Sequence, residues 1–553
     1  MKVFDSVPVK VPAKNVFNLS HDVKSSYNFD KLYPFLCQQV YPGDTWNARA
    51  EVFLRAMPLL CPVMHNVDMH IWFFFVPERL IWNENKKADF RTFITGGEDG
   101  KQTPTLPYFT YNLLRSVGQQ LCEHGSLLDH MGFPTLQSAD PAFRSGAVRI
   151  SSLPFRAYQC VWNEYFRNQN VQNEIEFGYG AGQESAANIA KIFAFRKKCW
   201  EKDYFTSALP FQQRGQAMLL PIDFNREQAS EVQAPVKVTT GSAPNSETTY
   251  GLIARGNSTG SPATVPLGIM GPGFVQNDAV ELQGTATINA GDLTFTGLSV
   301  GTINDFRYCL RLQQWMENNA RCGSRYIEQL FAHFGVRSSD ARLQRPELLG
   351  GGKIPLIFSE IPQTSFGDGE TIDVLGDLAG KGTLYGKTGG FKKFFEEHGV
   401  LLGILSIIPR TSYMQGIPRQ WTAMTKEDWY WPEFAHLGEQ AVLNKEVYYN
   451  PVEELSLDSG PDDVFGYQGR FTELRYIPST VHGEMRNQLA YWHMGRIFTE
   501  LPVLNASFVE AQTDPRCFSL VGVQQEGNDP FVCQIHMDIK AVRPMPKYAV
   551  PTL

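Results

Sequence analysis

Residues 533–541 read CQIHMDIKA, and apolar and polar side chains alternate along the whole stretch. The apolar positions, which fall on one side of an extended chain, are Cys533, Ile535, Met537, Ile539 and Ala541. The polar positions between them are Gln534, His536, Asp538 and Lys540. Successive side chains of a β-strand point to opposite faces. The pattern therefore predicts a strand with one face on a core and a wetter face opposite.

Other stretches predict further strands of the same sheet system. In VDMHIWF (67–73), alternating apolar residues face one way while Asp68 and His70 face the other, wetter side. TWNARAEVFL (45–54) and RFTELRYIP (470–478) also look like strands. GVLLGILSIIP (399–409) is apolar throughout, which predicts a strand buried on both faces. These segments lie far apart in the chain, so we expect a β-sandwich with long excursions between its strands.

Helical patterns are confined to a few segments. SRYIEQLFAHFG (324–335) predicts a helix with Ser324 as its N-cap and Gly335 as its end. INDFRYCLRLQQWMENNA (303–320) predicts a second helix, capped at Asn304. The fold class is therefore mainly β, with long loop and helical insertions.

Composition limits the kind of protein. The chain has 553 residues, of which 43% are hydrophobic, and this supports a sizeable core. Its net charge of −7 weakens the idea that its main task is to neutralise nucleic-acid phosphates. The nine cysteines are scattered and form no C-x-x-C pair, which predicts reduced thiols in a cytosolic protein. No secretory signal and no apolar run long enough for a membrane helix is evident, so we expect no membrane insertion.

SSDARLQRPELLGGGK (338–353) resembles a phosphate-binding loop at first sight. A Walker loop requires Ser or Thr after the lysine, but Lys353 is followed by Ile354 and Pro355. We therefore predict that the glycines at 350–352 form a turn where backbone packs closely. A phosphate-binding hydrolase using the glycine run at 350–353 remains an alternative function, as does a carbohydrate-binding β-sandwich.

No pattern typical of a catalytic or metal site is present. The histidines form no H-E-x-x-H, no Cys/His cluster has zinc spacing, and there is no G-x-S-x-G elbow. We predict no catalytic residues, no metal, no cofactor and no enzymatic activity.

Basic residues are enriched in two places. The segment after Asp538 carries Lys540, Arg543 and Lys547 and no acidic residue. A second basic region carries the arginines Arg337, Arg342 and Arg345. We predict that these six residues contact nucleic acid. Charge alone leaves solvated tails as an equal explanation, and arginines in the second region also suit carboxylates of a neighbouring subunit.

Long blocks of the sequence occur in the order of one known family. They include FNLSHDVKSSYNFDKLYPFLCQQVYPGDTWN (17–47), CPVMHNVDMHIWFFFVPERLIW (61–82) and IKAVRPMPK (539–547). A further block runs from 308 to 352 and contains the helix and glycine run described above. Together they resemble the major capsid proteins of gokushoviruses, the small single-stranded-DNA bacteriophages of the microvirus family.

The resemblance implies a fold and a set of partners. The fold would be a viral jelly roll, an eight-stranded antiparallel sandwich forming one domain over 1–553. The chain would self-assemble through pentamers into a T=1 icosahedral shell around circular single-stranded DNA. Further partners would be a small basic DNA-binding protein and a minor pilot protein. The protein would be assembled in the host cytoplasm and reside in the virion.

The resemblance also gives roles to two segments. Residues 225–300 are rich in Ser, Thr, Gly and Pro and match the family's variable insertion, which forms a protrusion at the three-fold axes and meets a host surface receptor. Its aromatic residues are Tyr250, Phe274 and Phe295. A shell subunit also needs contact faces, and aromatics are enriched at such faces. The candidates in DWYWPEFAH (428–436) are Trp429, Tyr430, Trp431 and Phe434, for which a core position remains open.

Overall fold

The computed structural model describes residues 13–83, 88–98, 100–135, 148–215, 233–236, 250–253, 268–269, 303–322, 325–337, 339–340, 343–362, 378–451, 460–518 and 529–548. The chain divides into two compact units. One consists of Met1–Arg214 with Asn319–Leu553, and the other is Gly215–Asn318.

Strands dominate the described part of the chain. In chain order they are β1 (Asn15–Asn18), β2 (His21–Tyr27), β3 (Tyr33–Val40), β4 (Thr45–Ala56), β5 (Val67–Pro77), β6 (Tyr108–Phe109), β7 (Ile150–Ser151), β8 (Gln233–Val236), β9 (Tyr250–Ile253), β10 (Gly268–Ile269), β11 (Glu347–Pro362), β12 (Leu378–Lys387), β13 (Phe391–Phe394), β14 (Gly399–Pro409), β15 (Ser412–Tyr413), β16 (Glu439–Leu443), β17 (Val464–Gly469), β18 (Ser479–Thr480) and β19 (Phe531–Arg543). The α-helices are α1 (Glu78–Ile81), α2 (Phe90–Thr95), α3 (Tyr111–Val117), α4 (Leu127–His130), α5 (Leu153–Val161), α6 (Ala186–Ile192), α7 (Ile303–Cys322), α8 (Tyr326–Phe334), α9 (Asn444–Val447) and α10 (Ala506–Val509).

The main antiparallel sheet of the first unit curls into two layers. Its strand order is β1-β19-β4-β12-β11-β5-β14-β3, with β2 also on β19 and β13 also on β4. Strand β11 belongs to both layers, because residues 357–362 pair with β12 and residues 347–356 pair with β5. Since β1 and β2 line up along β19, and β12 and β13 along β4, the first layer has the four positions β1/β2, β19, β4 and β12/β13. The second layer has the four positions β11, β5, β14 and β3 when β11 is counted there only. These eight positions form a jelly roll, which confirms the predicted fold class.

One hydrophobic core lies between the two layers. Trp46 of β4 and Ile535 of β19 meet Ile71 of β5 and Leu405 of β14 there. Strand β19 alternates as predicted: its apolar set is buried and its polar set is exposed. The prediction for residues 45–54 is also confirmed, since β4 buries every second side chain.

The second layer is buried on its other face as well. Every residue of β14 is buried, as its uniformly apolar sequence predicts. Val400 and Phe74 pack there with residues of α5 and α6. The wetter face predicted for β5 is wrong: Asp68 is buried and His70 half-buried, because the excursion between β5 and β11 covers this side.

Local predictions outside the sheet need correction. Residues 470–478 form no strand; Phe471 has a left-handed φ of 60° and begins a 3₁₀ turn over Thr472–Leu474. Helix α8 ends at Gly335 as predicted, but its N-cap is Arg325 and not Ser324. Helix α7 begins at Ile303, so Asn304 lies inside the helix.

The second unit contains the antiparallel sheet β10-β9-β8. Most of the predicted excursion at 225–300 lies outside the described residues, including Phe274 and Phe295. Tyr250 is the first residue of β9. That residues 225–300 form a protrusion stays a prediction.

The glycine run 350–352 lies inside β11 and forms no turn, so that prediction is wrong. The close backbone packing is confirmed at Gly351, where an added Cβ would lie 2.3 Å from the carbonyl oxygen of Ile71. The β11–β5 register shifts between Leu348 and Gly350. Glycine in a strand often marks a bulge or a close approach of backbone, and both occur here.

The nine cysteines are all free thiols, as their spacing predicts. Burial raises the pKa of the Cys37, Cys517 and Cys533 thiols to about 12. A thiol with a raised pKa is a poor nucleophile at neutral pH, because the thiolate is the reactive form.

Replacing Gly351 by Ala should lower the free energy of unfolding by about 1–3 kcal/mol, since the new methyl group would overlap the Ile71 carbonyl. Gly352→Ala is the matched control, because its nearest neighbour would be 3.5 Å away. Urea unfolding of the purified chain, followed by circular dichroism, measures both. Equal stability of the two variants would contradict the tight approach at Gly351.

Candidate interaction surfaces

Lys353, the residue after the glycine run, faces carboxylates of its own chain. Its Nζ lies 2.9 Å from Asp68 Oδ2 and 2.8 Å from Glu201 Oε1. Arg410 Nε lies 3.0 Å from the same Asp68 oxygen. Burial alone would lower the pKa of Lys353, but the two hydrogen-bonded carboxylates outweigh it and raise that pKa.

His70 and Trp72 complete this charged cluster. Their rings stack with centroids 5.4 Å apart, and His70 Nε2 lies 3.3 Å from Glu201 Oε1. The hydrogen bond from His70 helps to hold the pKa of Glu201 below its usual range, although burial acts in the opposite direction. Lys198 lies over the Trp72 ring at 5.1 Å, and burial lowers its pKa to about 8. The cluster ties β5 and β11 to the segment around 198–201, which is a structural role.

Metal ligands and membrane helices are both missing from the described residues. No group of three or more His, Cys, Asp or Glu side chains among them is placed to hold a metal ion. No helix within these ranges is long and apolar enough to cross a membrane.

Arg543 is anchored at the end of β19. Its Nε lies 3.1 Å from Oδ2 of the buried Asp44. Its guanidinium also lies 5.3 Å from the Trp46 ring and 5.8 Å from the Tyr41 ring. Arg543 therefore joins β19 to the turn that precedes β4.

Lys540 and Lys547 are in contrast exposed. Lys540 stands on the polar face of β19, in register with Asn18 on one side and Asn47 on the other. Asn47 is in turn in register with the exposed Lys392 of β13. Lys547 Nζ lies 5.8 Å from the ring of Tyr548, which is also exposed. Both lysines can therefore meet a ligand in solution.

In the second basic region, Arg345 is likewise engaged within the chain, whereas Arg337 is exposed. Arg345 Nε lies 2.9 Å from Asp340 Oδ1, and its guanidinium lies 4.4 Å from the Tyr165 ring. A hydrogen-bonded turn precedes Arg345, with Leu343 N donating to Asp340 O. Arg337 is exposed and lies 5.0 Å from the Phe331 ring. Arg342 lies outside the described residues.

The aromatic residues at 429–434 lie on the surface of the subunit. Trp429, Tyr430 and Trp431 are 67%, 54% and 50% exposed, and Phe434 is half-buried. The Trp431 indole N–H donates to the Lys426 carbonyl at 2.8 Å, so the exposed ring is held in place. The first three rings are therefore no part of the core of an isolated subunit.

Residues 470–477 form a second segment with exposed residues, which lies beside the aromatic residues at 429–434. Tyr430 packs on Phe471 with ring centroids 5.1 Å apart, and the Arg470 guanidinium donates to the Glu427 carbonyl at 2.7 Å. These interactions join the two segments. Together the segments carry the exposed residues Trp421, Met424, Trp429, Tyr430, Trp431, Leu474 and Ile477, which we call the aromatic surface. Contiguous exposed apolar patches mark interaction sites, and these residues are candidates for one.

Sequence reasoning missed the exposed aromatic residues in the described strands of the main sheet, which are Phe53, Tyr385 and Phe394. Phe53 of β4 and Tyr385 of β12 point away from the core. A signal for Phe53 was present, because it occupies a polar position in the alternation of β4. Tyr385 lies between glycines and lysines, and its sequence carries no comparable alternation.

The chain resembles known phage proteins over its full length. The family model described as "Capsid protein (F protein)" matches residues 6–553. The capsid protein VP1 of Bdellovibrio phage phiMH2K is 34% identical, over 99% of this chain and 97% of the phage protein. The VP1 proteins of Chlamydia phage 1 and Spiroplasma virus 4 are 32% and 29% identical, over 100% and 98% of this chain and 97% and 95% of their own lengths.

Arg543→Ala should lower the free energy of unfolding by about 2 kcal/mol, because the buried Asp44 carboxylate would be left without its charged partner. Lys547→Ala, four residues further along, should leave stability unchanged, since this lysine is exposed. Thermal unfolding of both variants measures the difference. If Arg543→Ala were as stable as the unaltered chain, the anchoring role of Arg543 would be wrong.

Proposed function

The chain belongs to the capsid protein (F protein) family, and from this premise we propose that its copies form a T=1 icosahedral shell around a circular single-stranded DNA genome. The observation that carries the proposal is the aromatic surface, whose three central rings are at least half exposed in a single subunit. An assembling subunit would bury such a surface against its neighbours.

The aromatic surface has the chemistry of a subunit contact. Trp and Tyr are enriched at the centres of protein interfaces, where a few buried rings supply most of the binding energy. Trp429 and Trp431 belong to a short segment that is braced by hydrogen bonds, so little conformational entropy is lost on docking. We propose that this segment, with Phe434, packs against a neighbouring copy, in pentamers first and then in the closed shell.

We propose that exposed cations of the shell meet the genome. Among the predicted residues, Lys540, Lys547 and Arg337 are exposed and suited to phosphate. Arg543 and Arg345 are engaged within the chain and would act there by positioning their segments. The net charge of −7 leaves most genome neutralisation to other components. A small basic DNA-binding protein supplies this, and a minor pilot protein is a further proposed partner.

Host attachment is a further part of the proposed role. Phage capsid proteins are components of the virion, which gives the coarse location of this chain. We propose that residues 225–300 protrude at the three-fold axes and meet a host surface receptor, through Tyr250, Phe274 and Phe295. Assembly in the host cytoplasm accords with the free thiols.

A catalytic or carbohydrate-binding role has less support. The relatives are named for a structural role. Lys353, on which the hydrolase alternative depends, is held by Asp68 and Glu201. We therefore propose a structural protein without enzymatic activity.

Trp431→Ala should prevent shell formation while leaving the fold intact, because half of this side chain is exposed in the subunit. Its unfolding free energy should change by less than about 0.5 kcal/mol. Trp431→Phe, which retains a ring, is the matched control and should still assemble. Sedimentation and negative-stain microscopy distinguish shells from free subunits. Shells of normal yield from Trp431→Ala would remove Trp431 from the interface.

The double variant Lys540→Gln, Lys547→Gln should form shells that contain less DNA, because two exposed cations are removed from the surface proposed to meet the genome. The ratio of absorbance at 260 and 280 nm of purified particles measures the DNA content. Lys426→Gln is the control: it removes an exposed cation beside the aromatic surface and should leave the DNA content unchanged. An unchanged DNA content in the double variant would contradict this assignment.

A further inference from the structure

The polar side of the layer formed by β1/β2, β19, β4 and β12 carries two exposed rings side by side. Phe53 of β4 and Tyr385 of β12 are directly opposite each other in the antiparallel register. They are 41% and 70% exposed. Residues in such a pair project from the same face with Cβ atoms about 5 Å apart. We call this surface, on the side away from the core, the outward sheet face.

Cations surround the two rings. The Arg55 guanidinium lies 5.1 Å from the Phe53 ring. Lys24 belongs to the same cross-strand row, because Lys24 is opposite Gln534 and Gln534 is opposite Phe53. Lys381 and Lys387 of β12 have the same alternation phase as Tyr385, so they project from the same face.

The outward sheet face is positive although the chain is acidic. Further from the rings it adds Arg49, Lys392 and Lys540. Its basic residues are then seven against three acidic ones, an excess of four, in a chain of net charge −7. The acidic residues are Asp22, Glu51 and Asp538. Two of them have a partner on the same surface: Asp22 Oδ1 is 2.6 Å from His536 Nδ1, and Glu51 Oε1 is 2.6 Å from Lys387 Nζ.

Cations combined with exposed rings favour a nucleic acid as the partner of the outward sheet face. Protein interfaces are depleted in lysine at their centres, whereas the outward sheet face carries lysine on both sides of its rings. Proteins that bind single strands combine cations that follow the backbone with aromatic rings on which bases stack. Paired bases of a duplex are not available for such stacking. The charge and the rings therefore favour a single-stranded nucleic acid over a second copy of the chain.

We propose that the outward sheet face is a stacking platform for single-stranded DNA. Phe53 and Tyr385 stack with bases, while Lys24, Arg55 and Lys381 contact the phosphates on either side. Recognition is independent of sequence, because every base has a ring face. This inference deepens the proposed function, on which it rests, by naming where and how the shell protein would hold the strand.

Binding of a fluorescent oligo(dT) to the full-length, unassembled chain tests the platform. The double variant Phe53→Ala, Tyr385→Ala should bind about tenfold more weakly or worse, with little change in the salt dependence of binding. Lys24→Gln, Lys381→Gln should instead reduce the slope of log affinity against log salt by about 0.7 for each phosphate that is no longer neutralised. A loss of affinity with an unchanged salt slope indicates lost stacking, whereas a reduced salt slope indicates lost phosphate contacts.

Matched variants keep the result interpretable. Tyr385→Phe retains a ring and should bind as the unaltered chain does. Tyr326→Ala removes a ring of α8 that is as exposed as Tyr385 and should also leave binding unchanged. Phe53→Leu, Tyr385→Leu retains apolar bulk without rings, and should bind as weakly as the alanine pair. Melting curves confirm that each variant is folded.

Photocrosslinking locates the binding surface directly. Oligonucleotides containing 5-iododeoxyuridine should crosslink to peptides that contain Phe53 or Tyr385. Normal oligo(dT) affinity of the alanine pair would overturn the platform, whether or not the unaltered chain forms shells. Loss of assembly with normal affinity would also overturn it, and would assign the face to a second copy. Failure of the unaltered chain to assemble would instead count against the proposed function.

Discussion

The architecture depends on the burial of β5 and β14 on both faces. Every residue of β14 is buried, and β5 is buried over most of its length. A strand that is apolar on both sides requires cover on both sides. The first layer covers one side, and the helical excursion between β5 and β11 covers the other. The polar face of the first layer is then the side of the sandwich that stays exposed in the subunit.

Strand β11 connects the two layers of the sandwich. One strand serves both layers, and its glycine run allows the backbone of β5 to approach closely where the register shifts. Lys353 follows immediately and is fixed by carboxylates from β5 and from residue 201. The glycine run that resembles a phosphate loop therefore lies in the strand that connects the two layers.

Alternation and uniform apolarity made β19, β4 and β14 predictable, since burial dictates those patterns. The cover over Asp68 and His70 could not be predicted, because it comes from residues more than 100 positions away in the chain. The strand prediction for residues 470–478 was wrong because a single residue with a left-handed φ, Phe471, ends the extended conformation. Of the predicted cations, the sequence could not separate Arg543, held by Asp44, from the exposed Lys540, because that depends on long-range pairing. The family resemblance supplied the fold and the role, but it did not reveal the pair Phe53 and Tyr385.

The buried thiols matter once a particle leaves its host. In oxidising surroundings, reactive cysteines crosslink or become sulfenic acids. The raised pKa values of Cys37, Cys517 and Cys533 keep these thiols protonated, which is their less reactive form. In a shell built from such subunits, these three thiols would be slow to react when the medium becomes oxidising.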